Sequence, residues 1–167
     1  MSSLKPHSWP GGAAPRSERR APFGHDAAAS STGDETVSPS AGPSTTIMIV
    51  DDEPMLLHIF ARALETDHQV LVAPTGRQAL QMLAERDGKV DVIICDLHMP
   101  GMSGMDLFDE VGKLYPDLQP RMVFMSGGAS TPRAQKFLNG TSNRTIAKPV
   151  TLNALELTVA EVIAVRR

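Results

Sequence analysis

The chain has 167 residues, room for one ordinary domain and little else, so a second folded output module is not expected within it. Its balance of 16 Lys+Arg against 19 Asp+Glu is mildly acidic, and no sequence-wide positive field exists to hold nucleic acid or an anionic membrane. No run approaches the roughly 18 consecutive apolar residues of a membrane-spanning helix. The single cysteine, Cys95, cannot form an internal disulfide and suits a reducing compartment, so the expected location is the cytoplasm.

Residues 1–45 carry six of the thirteen prolines, and between Leu4 and Val37 they offer only Trp9 and Phe23 as large apolar side chains. That is too little to offset ordering entropy, so a disordered N-terminal tail is expected there. Its charges cancel, Lys5, Arg16, Arg19 and Arg20 against Glu18, Asp26, Asp34 and Glu35. It has no apolar central segment, and its acids argue against a transit peptide.

From Thr46 onward short apolar runs alternate with segments of helical spacing, the pattern of a parallel sheet covered by helices. The first run is Ile47-Met48-Ile49-Val50, followed by Pro54 at a first helical position ahead of Leu56, Leu57, Phe60 and Leu64. Gln69-Val70-Leu71-Val72 is next, with Thr75 as cap for a helix carrying Ala79, Leu80 and Leu83. Val92-Ile93-Ile94-Cys95 forms the third strand, and Ser103 with Asp106 resembles a capping box before Leu107, Phe108 and Val111. Met122-Val123-Phe124-Met125 precedes a short helix opened by Thr131-Pro132, with Phe137 and Leu138. A weaker Thr145-Ile146-Ala147 precedes a helix opened by Thr151, where Leu152, Leu155, Val159, Val162 and Ile163 form a stripe. Continuous apolar character predicts strands buried on both faces. The fold class is therefore α/β, with five strands and five helices over residues 46–167.

Ligands of open parallel sheets bind beyond the carboxyl ends of the strands. There the chain places Asp51-Asp52-Glu53, Asp96, Ser126-Gly127-Gly128 and Lys148-Pro149. Bringing Asp51, Asp52 and Asp96 together is unfavourable without a cation, and Mg²⁺, a hard ion preferring oxygen ligands, suits them. Asp96 then has two available jobs, metal ligand or nucleophile toward a phosphoryl group. Lys148, Ser126 and the glycine-rich turn favour the second, since they supply a counter-charge, a hydroxyl donor and backbone N–H groups for the added phosphate.

The stretches Ile49-Val50-Asp51-Asp52-Glu53-Pro54, Asp96-Leu97-His98-Met99-Pro100-Gly101-Met102-Ser103-Gly104, Met125-Ser126-Gly127 and Lys148-Pro149 resemble those of response-regulator receiver domains of two-component signalling. Any one of them is weak, but four in order at the ends of the right strands is highly specific. The resemblance implies a doubly wound, flavodoxin-like sheet in the order 2-1-3-4-5. It implies that Asp96 accepts phosphate from the phosphohistidine of a histidine kinase or phosphotransfer protein, with Asp51, Asp52, Asp96 and the backbone carbonyl of His98 holding Mg²⁺. Ser126 would be the hydroxyl that moves onto the phosphate and Lys148 its counter-charge, and the Lys148–Pro149 peptide would be cis. With no room expected for an output module, the message would leave to a downstream protein target or by onward phosphotransfer, and the charge balance argues against contact with nucleic acid. The wording Met125-Ser126-Gly127-Gly128-Ala129 with Thr131-Pro132-Arg133 also resembles receivers attached to hybrid histidine kinases. One switch position departs from the family pattern: the aromatic ring usually found three residues before the lysine is replaced by Thr145.

Plainer readings stand beside these. Asp51 and Asp52 could be strand-end or capping residues, and Lys148 a solvated lysine, but their joint placement with Asp96 favours function. His98 is expected to point to solvent beside the site, and His58 and His68 share no metal-ligand spacing. Cys95 reads as a small core hydrophobe, and Met99, Met102 and Met105 read mostly as packing. An alternative activity is a Mg²⁺-dependent phosphatase acting through an aspartyl phosphate, but that class places Asp-x-Asp on the first strand, where this chain has adjacent aspartates. A flavin or nucleotide carrier lacks its glycine-rich loop after strand one. The expectation is a switch that catalyses only its own phosphorylation and dephosphorylation, not an enzyme.

Overall fold

A computed structural model describes residues 45–128 and 131–165. The segment expected to be a disordered tail lies outside the described residues but for its last position.

The chain runs β1 (Thr46–Val50), α1 (Pro54–Leu64), β2 (Gln69–Ala73), α2 (Gly76–Glu85), β3 (Val92–Asp96), α3 (Gly104–Leu114), β4 (Met122–Ser126), α4 (Pro132–Gly140), β5 (Thr145–Ala147) and α5 (Leu152–Ala164). The five strands form one parallel sheet in the order β2-β1-β3-β4-β5, the doubly wound order expected. Three helices start on caps readable from sequence: Thr75, Thr131 and Thr151 accept from the backbone N–H three residues on. Ser103 and Asp106 form a full capping box at α3. A 3₁₀ turn at Gln119–Arg121, which the apolar pattern does not signal, delivers the chain to β4.

Alternation along the central strands sends side chains to two cores. Met48, Val50, Ile93, Cys95, Met122 and Phe124 meet α2 and α3 on one face. Ile47, Ile49, Val92, Ile94, Val123 and Met125 meet α1 and α5 on the other. Burial on both faces therefore holds for β1, β3 and β4, as their unbroken apolar runs predict. It fails at the edges. Val72 of β2 is 43% exposed, and in β5 only Ile146 is buried, because an edge strand has a neighbour on one side only. In α5 the buried stripe is Leu155, Val159 and Val162, while Leu152 in the first turn lies exposed.

Candidate functional site

Strand register assembles the site. One step beyond the Val50–Cys95 pair of β1 and β3 come Asp51 and Asp96. One step beyond the Asp96–Met125 pair comes Ser126, which pairs with Ala147 just before Lys148. Four residues distant in sequence thus share one rim because their strands end together.

Asp51 is 0% and Asp96 5% exposed, so two carboxylates stand where burial of a charge is costly unless it is paired. Asp52 beside them is exposed. The Glu53 N–H donates to Asp51 Oδ1 at 2.9 Å. The Lys148 ammonium bridges the other oxygen of Asp51 and Oδ2 of Asp96, both at 3.1 Å. Burial works against the charge on Lys148, but its hydrogen bonds to Asp51 and Asp96 outweigh it, and the ammonium is held above the ordinary lysine value. The lysine is placed by its own backbone, whose N–H donates to the Ser126 carbonyl at 2.8 Å. The Lys148–Pro149 peptide is cis, as the family resemblance implies.

One oxygen from each of Asp51, Asp52 and Asp96 falls within 4.8 Å of the others. This set of hard oxygen donors, with one carboxylate open to solvent, fits a divalent cation of the Mg²⁺ class. The Ser126 hydroxyl is engaged in its own turn, donating to the Gly128 carbonyl at 3.3 Å and accepting from the Gly128 N–H at 3.2 Å. His98 is exposed on the loop after β3. That loop returns tightly: Gly104 N–H donates to the Leu97 carbonyl, and a Cβ on Gly104 would collide with the Asp96 carbonyl oxygen. Thr145 is exposed at the start of β5, outside this constellation. Cys95 is fully buried, and burial first, then the charges of Asp96 and Asp51, push its thiol up.

Sequence reasoning assigned no role to Arg133. Its guanidinium meets Asp106 Oδ1 at 2.7 Å and Asp109 at 4.0 Å, tying the first turn of α4 to that of α3. The bonds from Ser103, then that from Arg133, hold the Asp106 carboxyl below its usual range. Nothing local marks a pair separated by 27 residues. His68 is half-buried, and its Nδ1 lacks a hydrogen-bond partner; it lies at the opposite, amino end of the strands, away from the rim.

Residues 47–160 match the family model described as the response regulator receiver domain. The chain is 32% identical over 121 residues to the sensor kinase CckA of Brucella abortus, an alignment spanning 72% of this chain and 13% of that protein. It is 30% identical over 112 residues to the two-component response regulator ARR11 of Arabidopsis thaliana, spanning 66% of this chain and 21% of that protein. The chain therefore covers a small part of the length of these relatives. A receiver domain protein structure from Clostridium thermocellum superposes with a TM-score of 0.65 at 28% identity, covering 73% of this chain and 96% of that one.

Proposed function

Because the chain belongs to the response regulator receiver domain family, we propose that it is a phosphoryl-accepting switch of a two-component phosphorelay, phosphorylated on Asp96 with Mg²⁺. The observation that carries this is Lys148 bridging Asp51 and Asp96 inside a three-carboxylate cluster.

In the forward step a carboxylate oxygen of Asp96 attacks the phosphorus of a donor phosphoimidazole. The P–O bond forms as the P–N bond breaks, and the departing imidazole nitrogen takes up a proton. Asp51, Asp52, Asp96 and the His98 carbonyl would hold the Mg²⁺, which neutralises charge on the phosphoryl oxygens when bound. Lys148, already within hydrogen-bond reach of Asp96, turns to the phosphoryl group as its counter-charge. The Ser126 hydroxyl exchanges its bonds within the Gly128 turn for one to a phosphoryl oxygen. Reversal is hydrolysis, in which water attacks the phosphorus and releases inorganic phosphate and the free carboxylate. No external substrate is turned over. The phosphatase alternative is not favoured, since that class carries Asp-x-Asp on its first strand, where this chain has the adjacent Asp51 and Asp52.

A histidine kinase or phosphotransfer protein is the donor in this reading, acting in the cytoplasm, and a downstream protein receives the signal. Met55 and Ile59, one turn apart on α1 and 70% and 41% exposed, offer a donor protein an apolar contact close to the Asp51 rim. No helix among the described residues is long and apolar enough to cross a membrane. The receiver unit in this reading begins at Thr46, where β1 starts.

The test is incubation with acetyl phosphate and Mg²⁺, followed by intact mass measurement. One added phosphoryl group is expected, lost in Asp96→Asn and absent after chelation of Mg²⁺. Equal labelling of Asp96→Asn would refute the assignment.

A further inference from the structure

Resting on that reading, we infer that Arg133 is a positioning residue that clasps α4 to α3 in the unphosphorylated state and so opposes phosphorylation of Asp96.

Among the five helices α4 is the least anchored. Ala134 is its one fully buried residue, whereas α1, α2, α3 and α5 each bury three or four. Elements with few buried contacts are the least costly to displace. Its amino end is also close in chain to the site, because Ser126 ends β4 and Thr131, five residues on, caps α4. When the Ser126 hydroxyl leaves Gly128 for a phosphoryl oxygen, both bonds of that turn are lost, and α4 is the next helix along the chain.

Besides the buried Ala134 and the partly buried Leu138, two sets of contacts hold α4 in place. Phe137 packs edge-to-face on Phe124 of β4 and Phe108 of α3, with ring centroids 5.0 and 5.3 Å away. Such contacts tolerate sliding over a range of separations. A groove of about 580 Å³ between α3 and α4, lined by Phe108, Arg133, Lys136 and Phe137, leaves room for it. The Arg133 pair is less forgiving. Asp106 cannot follow a moving guanidinium, because its Oδ2 accepts from both the N–H and the hydroxyl of Ser103, at 3.0 and 2.6 Å. A shift of α4 beyond the reach of the Arg133 side chain therefore breaks the 2.7 Å bond to Oδ1, so the bond favours the arrangement seen here. Thr145, exposed and without a ring, offers β5 no aromatic packing contact of the kind Phe137 gives α4.

Arg133 is 57% exposed at its side chain, so the clasp is a modest, salt-sensitive one. Exposed pairs of this kind shift an equilibrium by about two- to five-fold. The test uses the full chain and beryllofluoride with Mg²⁺ as the phosphoryl mimic, followed by titration calorimetry. Arg133→Ala is expected to bind about two- to five-fold more tightly than the unaltered chain. Arg133→Lys should recover part of the difference, and 1 M NaCl should erase most of it, since charge screening reaches exposed pairs. Unchanged or weaker binding by Arg133→Ala overturns the inference, as does a gain that persists undiminished in 1 M NaCl. Failure of the receiver reading has a separate signature: Asp96→Asn would bind beryllofluoride as well as the unaltered chain does.

Discussion

Lys148 stands between two carboxylates that would otherwise repel each other in a dry setting, and its charge does in the resting protein part of what a divalent cation does when bound. Two consequences follow from this competition. Removing the ammonium leaves Asp51 and Asp96 buried without a counter-charge, and breaking a buried pair in this way costs about 3 kcal/mol. Lys148→Met is therefore expected to lower the denaturation midpoint in chelator, with Mg²⁺ recovering much of the loss and still binding, while the response of the protein to phosphorylation is lost. A retained response in that variant would refute the role given to the lysine. The pH dependence has a definite sign. Because the folded value lies above the ordinary 10.5, the stabilisation is complete below 10.5 and is lost as pH rises through the folded value. Denaturant midpoints compared between the metal-free chain and Lys148→Met should converge above that point. At this scale the sequence was informative about place, since Asp51, Asp52, Asp96, Ser126 and Lys148 all terminate or follow strands and so gather at one rim. It was silent on which oxygen meets which ammonium, a matter of register.

The first turn of α3 is where local and distant forces meet. Ser103 and Asp106 are three residues apart, the spacing at which side chains can reach the free N–H groups of a helix start, and the box was legible for that reason. The Arg133 partner was not, because an ion pair across two helices leaves no periodic trace. Apolar runs likewise announced every strand, yet they could not say that β2 and β5 lie at the edges; Val72 and Thr145 read the same whether a neighbour covers them or not. Nor could the spacing of α5 show that Leu152, at its opening turn, faces outward. For the capped turn the expectation is concrete. Ser103→Ala should destabilise the fold by about 1 kcal/mol, read as a shift in the urea midpoint. With Asp106 held below 3.8, its contribution is present above that pH and lost as pH falls through the folded value. Acid unfolding followed by circular dichroism should therefore show a smaller loss between pH 4 and pH 2 in Asp106→Asn than in the unaltered chain; equal losses would deny the carboxylate that role.

For the molecule as a whole, a ligand that binds only the folded state adds stability by mass action, about 2.7 kcal/mol at a hundred-fold excess over the dissociation constant. Mg²⁺ should then raise the melting temperature by several degrees, and Asp51→Asn should abolish most of that rise; an equal rise in the variant would place the ion elsewhere.

The two cores on opposite faces of the sheet share the central strand β3, and the chain's one thiol sits at its heart. Cys95 is sealed from solvent, and its pKa is raised by burial and by the neighbouring carboxylates, so a maleimide has neither access to it nor thiolate to attack. Modification must wait for β3 to come apart, which makes this side chain a built-in clock for opening of the domain. Modification should slow in Mg²⁺ and slow further with beryllofluoride. The reaction thus counts how often β3 is exposed, without any label having been engineered in.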